Sequence, residues 1–197
     1  MMKHPLISVY GRNTLQGSFP LVLVVGREPN DDLPMGETVG PYDFEKAPHC
    51  QFWNTAYKIV AATMFISVRE LKELCKEHGS SILAFADASP FTISFNTRDK
   101  NEIRNRFGPE DYVSHAQGIT SQEVFKRVNL VILSGLEDGR YKEAVQTIKS
   151  GCKSGIAVVE TPFLTWMRKG RWQEIWARFT REDKGLIRSI YDNWSKD

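Results

Sequence analysis

Four continuous apolar runs punctuate the chain: "LVLVVG" (21–26), "SILAFAD" (81–87), "NLVILSG" (129–135) and "GIAVVET" (155–161). None alternates polar with apolar positions, so each suits a parallel strand covered on both faces. Helical spacing fills the intervals. "CQFWNTAYKIVAATMF" (50–65) and "SVRELKELCKEHG" (67–79) join the first run to the second. The latter opens on Ser67 with Glu70 three places on, a capping box, and stops at Gly79. "GITSQEVFKRV" (118–128) precedes the third run, and "DGRYKEAVQTIKSG" (138–151) leads to the fourth. "RWQEIWARFT" (171–180) and "KGLIRSIYDNW" (184–194) follow it. Strand–helix alternation of this kind predicts an α/β fold of three layers, α/β/α, around a four-stranded parallel sheet. No repeat or linker interrupts it, so residues 1–197 are read as one domain.

Open parallel sheets bind ligands beyond the carboxyl ends of their strands. The four exits read "GREPN", "FADASPF", "LSGLEDG" and "VVETPFLTW", each with a carboxylate or small polar residue directly after the apolar run. The long segment 27–49 follows the first exit, and loops of that length in a compact domain are usually functional or disordered.

Composition changes this picture little. At 41% hydrophobic and 25% charged the chain reads as an ordinary globular protein. A net charge of +2 decides nothing about nucleic acid, which needs only a local basic face. Three scattered cysteines, Cys50, Cys75 and Cys152, give neither a disulfide framework nor a metal site. The start, "MMKHPLISVYGRN", lacks the apolar core of a signal peptide, and no run is long enough to span a membrane. The expectation is a cytoplasmic monomer with no membrane partner, no cofactor and no metal.

In order and spacing these exits resemble the uracil-DNA glycosylase superfamily, whose fold is a four-strand parallel sheet between helices. Its first motif, a strand followed by Gly-x-(Asp, Asn or Ala)-Pro-x, is matched here by Gly26-Arg27-Glu28-Pro29-Asn30. The resemblance implies that Glu28 is the catalytic carboxylate, flanked by Gly26 and Asn30. It implies an aromatic under the extruded base, Tyr42 or Phe44, and a reader of the base edge after the second strand, Asp87 with Ser89. The family's HPSPLS motif aligns with Glu160-Thr161-Pro162-Phe163-Leu164-Thr165. Glu160 then replaces a histidine that donates to the developing anion, which it can do only when protonated, in a cleft shared with Glu28 and Asp87. Leu164 becomes the wedge that enters the duplex, and the basic cluster Arg168, Lys169 and Arg171 meets phosphate.

The chemistry gives these positions their meaning. Cleaving an N-glycosidic bond develops positive charge on the sugar and negative charge on the leaving base. The base must first leave the stack, which calls for a platform and a wedge. Three functions stay open: a DNA glycosylase, a nucleic-acid binder of the same fold that does not cleave, and an enzyme on a small nucleotide-like ligand whose acidic cleft would suit a divalent cation.

Other residues have plainer readings. Phe52, Trp53 and Tyr57 belong to a core face. So do the stripes Trp172, Ile175, Trp176, Phe179 and Leu186, Ile187, Ile190, Tyr191, Trp194. "RDKNEIRNRFG" (98–108) reads as a solvated mixed-charge helix, and His4, His49, His78 and His115 show no ligand spacing.

Overall fold

The four apolar runs form strands, and two short strands join them in one sheet. The computed structural model describes residues 3–30, 33–42, 51–94, 96–162, 164 and 171–196. In chain order the elements begin with β1 (Ile7–Val9), α1 (Arg12–Gln16), β2 (Leu21–Gly26) and β3 (Val39–Pro41). Then come α2 (Gln51–Met64), α3 (Val68–His78), β4 (Leu83–Asp87), α4 (Lys100–Arg104) and α5 (Pro109–Ser121). β5 (Val128–Ser134), α6 (Lys142–Gly151), β6 (Ala157–Thr161), α7 (Arg171–Arg178) and α8 (Arg181–Trp194) complete the set.

The sheet order is β3-β1-β4-β2-β5-β6. Its β4-β2-β5-β6 part is parallel throughout, as the sequence predicts. The expectation of four strands is corrected to six, with β1 antiparallel to β4 and β3 parallel to β1. Both additions are three residues long, too short to register as apolar runs. β3 ends in Pro41, which an edge strand tolerates because one side of its ladder is unpaired.

Burial follows position in the sheet. All six residues of β2 are buried, whereas β6, at the other edge, buries only Thr161. Parallel crossovers are right-handed. Moving from β2 to β4 and from β5 to β6 in opposite directions therefore places α2–α3 on one face and α6 on the other. The packing agrees: α5 lies against α6, while α2 lies against α3, α7 and α8. Ser67 and Glu70 form the expected capping box on α3, and Gly79 takes the left-handed conformation at its end, φ 59°. The helix expected over 118–128 instead begins at Pro109 and gives way to a 3₁₀ turn over Glu123–Arg127. The stripes on α7 and α8 face the core, with Ile175, Phe179, Ile187, Ile190 and Trp194 buried. Among the described residues no helix is long and apolar enough to cross a membrane.

Candidate functional site

In open sheets the ligand crevice lies at the carboxyl ends of adjacent strands whose connections leave toward opposite faces, which here are β2 and β5. β2 reaches that crevice at Gly26, in register with Asp87 of β4. A Cβ on residue 26 would lie 2.9 Å from Asp87 Oδ1 and 3.0 Å from Phe52 Cζ. A side chain at 26 would have to push the Asp87 carboxylate and the Phe52 ring aside, and glycine spares both. The two exits stay zipped beyond the sheet: Ala88 N–H donates to Gly26 O, Ser89 N–H to Arg27 O and Ile93 N–H to Pro29 O. Gly26→Ala is expected to cost about 1–3 kcal/mol by overpacking. A thermal melt checks it, at about 2–4 °C per kcal/mol for a chain of this length.

Past Gly26 the chain places two charges. Arg27 donates through Nε to Gly135 O, tying the β2 exit to the β5 exit, and its guanidinium lies 3.8 Å from Glu137. Glu28 turns the other way. Its Oε1 accepts from Arg104 Nε and Nη2, both at 2.7 Å, and its Oε2 accepts from the Tyr141 hydroxyl at 2.7 Å. The Glu28 side chain is 11% exposed. A carboxylate has about four acceptor positions. Among the described residues Arg104 takes two on Oε1 and Tyr141 one on Oε2, which leaves one acceptor position on Oε2.

Three elements supply these partners. Arg104 ends α4, whose first turn is capped by the Asp99 carboxylate accepting from Asn101 N–H and Glu102 N–H. Tyr141 closes the 3₁₀ turn over Gly139–Tyr141 at the start of α6. Burial, and then the charge of Glu28, push the Tyr141 phenol well above its ordinary range, so it stays a neutral donor. Tyr112 of α5 packs edge-on against Tyr141, ring centroids 6.0 Å apart. The hydroxyls of Tyr112 and Ser89 are both buried and lie near one another.

Asp87 sits at the other side of Glu28's strand. His4 Nε2 lies 3.7 Å from Asp87 Oδ2, and His115 Nε2 donates to Asp87 O at 2.9 Å. Burial lowers the His115 pKa below the ordinary 6.5, against the pull of the Asp87 carbonyl and carboxylate and with the push of His4. The unfolded chain therefore takes up this proton first. Stability falls as pH drops below about 6.5, at up to about 1.4 kcal/mol per pH unit, until the folded form is protonated too. Melts at about pH 7.5 and pH 5 should show a smaller difference for His115→Gln than for the unaltered chain.

Several expected site residues lie elsewhere. Glu160 does not join an acidic cleft. Its side chain is 65% exposed and accepts from Lys149 Nζ on α6 at 2.5 Å, because residues alternate along β6 and Thr161 takes the buried side. Leu164 is no exposed wedge. It is fully buried in the core, its N–H donating to Ser134 Oγ. Tyr42 is no open platform either. It is buried, its hydroxyl bonded to Tyr57, its ring packed on Trp53 and Phe85. Asn30 is exposed on the exit loop, and Ser89 is buried. Phe44, Arg168 and Lys169 lie outside the described residues, as does the side chain of Arg171. Among the described residues no three His, Cys, Asp or Glu side chains gather in a metal-binding group.

Arg104, Tyr112, Tyr141 and the positions of His4 and His115 beside Asp87 carry little mark in the sequence. One signal was available. Gly108-Pro109 followed by Glu110 and Asp111 is a helix start, and Asp111 indeed accepts from Gly108 N–H. Extending α5 to it puts Tyr112, Ala116 and Ile119 on one buried face. No family model matches the chain, and no curated protein matches it at a significant level.

Proposed function

We propose that the crevice between β2 and β5 hydrolyses the N-glycosidic bond of a base in DNA, with Glu28 as the catalytic carboxylate. The observation that carries the proposal is the fixing of Glu28 by Arg104 and Tyr141 at the end of β2, with one acceptor position left on Oε2. A carboxylate so held stabilises positive charge on the sugar and orients the attacking water without reorganising during the reaction. Water oxygen bonds to C1′, the C1′–N bond breaks, and the proton ends on the leaving base. Asp87, across from Gly26, and Asn30, on the exit loop, are the polar groups placed to read the base. The likeness of "GREPN" and its neighbouring exits to the uracil-DNA glycosylase superfamily supports the same chemistry. The sequence-adjacent basic residues Arg168, Lys169 and Arg171 suit phosphate.

A second reading keeps the bond and changes the substrate. Leu164 is buried and Glu160 lies at the surface, so neither serves as a wedge or a base reader. That favours a small nucleotide-like ligand, which needs no extrusion from a duplex. One assay separates the two. Labelled single- and double-stranded oligonucleotides carrying uracil, hypoxanthine, xanthine or a G·T mismatch are incubated and cleaved with alkali, beside the corresponding free nucleosides and nucleotides. Strand scission at the modified position is the expected result. Release from free nucleotides alone establishes the second reading, and release from neither removes both.

A further inference from the structure

On the α2–α8 face, two residues are locally unfavourable. Phe65 follows the last turn of α2 in the left-handed conformation, φ 57°, where glycine or asparagine is usual. Its ring is 79% exposed. Gly185 sits inside α8, where glycine is disfavoured, yet a Cβ there would meet nothing within 4 Å. Both lie on one surface. Arg188 stands 5.0 Å from the Phe65 ring centroid and donates through Nε to Thr63 O. Lys184 stands 3.9 Å from the ring centroid of Trp176, whose Nε1–H donates to Thr63 Oγ1.

Arg181, Lys184 and Arg188 form one stripe on α8, opposite the buried Ile187, Ile190 and Trp194. At 1.5 Å per residue the stripe advances by about 4.5 Å and then about 6 Å. Glu182 and Asp183 share the first turn of α8 with Arg181 and Lys184, and Asp192 ends the stripe one turn beyond Arg188. Glycine at 185 leaves the helix backbone bare between the cations. Arg188 occupies one face of Phe65, and the other stays open to solvent.

We propose that this surface binds a single nucleic-acid strand, with a base stacked on the open face of Phe65 and phosphates on Arg181, Lys184 and Arg188. Positive charge with an exposed aromatic is the pairing that holds single strands without reading sequence. An acidic peptide satisfies the cations but leaves the ring without a flat partner. The preference for a nucleic acid rests on the reading of the crevice as acting on DNA, while the surface itself is separate from the crevice.

The test is fluorescence anisotropy with a labelled oligothymidylate single strand of about 20 nucleotides, over a range of salt. Phe65→Gly is expected to weaken binding about tenfold, as for the loss of one stacked base. The same change relieves the left-handed strain and should raise Tm by about 2–4 °C, so lost affinity cannot be put down to unfolding. Arg181→Ser with Lys184→Ser should lower the salt slope by about 0.7 for each charge removed. Unchanged affinity in Phe65→Gly overturns the proposal. So does displacement of the strand by oligoglutamate of equal charge, which would mean that the surface reads charge alone. The oligothymidylate carries no damaged base, so the outcome is independent of base release. Release with Phe65-independent binding fails this inference alone, and Phe65-dependent binding without release fails only the assignment of the crevice.

Discussion

Glu28→Gln is expected to lower base release by about 10²–10⁴-fold while leaving the fold in place. Glutamine keeps the length and the planar end of glutamate. Its carbonyl can accept from Arg104 and its amide can donate to the Tyr141 oxygen, so the bonds seen around Glu28 have replacements. What is lost is the negative charge beside the developing positive charge on the sugar. Arg104 is left without its counter-ion but is 24% exposed, so water offsets part of that loss. A stability cost of about 1 kcal/mol follows, a shift of roughly 2–4 °C in Tm. Glu28→Ala is the harsher change, since it leaves both Arg104 and Tyr141 with no side-chain partner at this position. Base release and a thermal melt on the same preparations separate the two effects. A Gln variant that melts normally and still releases base at the full rate would remove Glu28 from the chemistry.

Trp194→Ala is expected to have the largest effect on stability, a loss of about 3–5 kcal/mol. Trp194 is fully buried at the end of α8, where its Nε1–H donates to Ser80 Oγ at 2.8 Å. Its ring packs on His78, centroids 4.8 Å apart, and on Tyr191. It thus closes α8 over the junction of α3 and β4, where Ser80 is itself buried. Alanine leaves a cavity there and strips Ser80 of its donor. At this chain length the fall in Tm is on the order of 10 °C, read by calorimetry or by loss of far-ultraviolet ellipticity. Trp194→Phe fills most of the space and loses the hydrogen bond, so it should fall by about a third as much.

The parallel core was legible in the sequence because its strands are buried on both faces and carry no polar interruption. Ser67 with Glu70 and the terminal Gly79 marked α3 in the same way, since capping is local chemistry. β1 and β3 were not legible. Three residues each, they owe their strand form to partners distant in sequence, Ala86 beside Ile7 and Val39 beside Ile7 on its other side. The crevice was legible in part. Glu28 and Asp87 stand at adjacent strand ends because Gly26 and Asp87 are in register. The short α4 shows why Arg104 was missed: a charge in a mixed-charge segment carries no sign of a partner 76 positions earlier in the chain. Glu160 and Leu164 fail for a different reason. A motif match fixes positions along the chain, whereas alternation on β6 and the turn after it decide which side chain faces the crevice. Glu160 points to Lys149, and Leu164 points into the core.

The central claim is that the crevice adds water across an N-glycosidic bond, and the fate of the water oxygen tests it most directly. The reaction is run in ¹⁸O-labelled water on whichever substrate releases base, and both products are weighed by mass spectrometry. An unlabelled free base and a sugar product carrying one heavy oxygen from solvent are expected, both lost with Glu28→Gln. Heavy oxygen on phosphate, or no free base from oligonucleotide or free nucleotide, would contradict it.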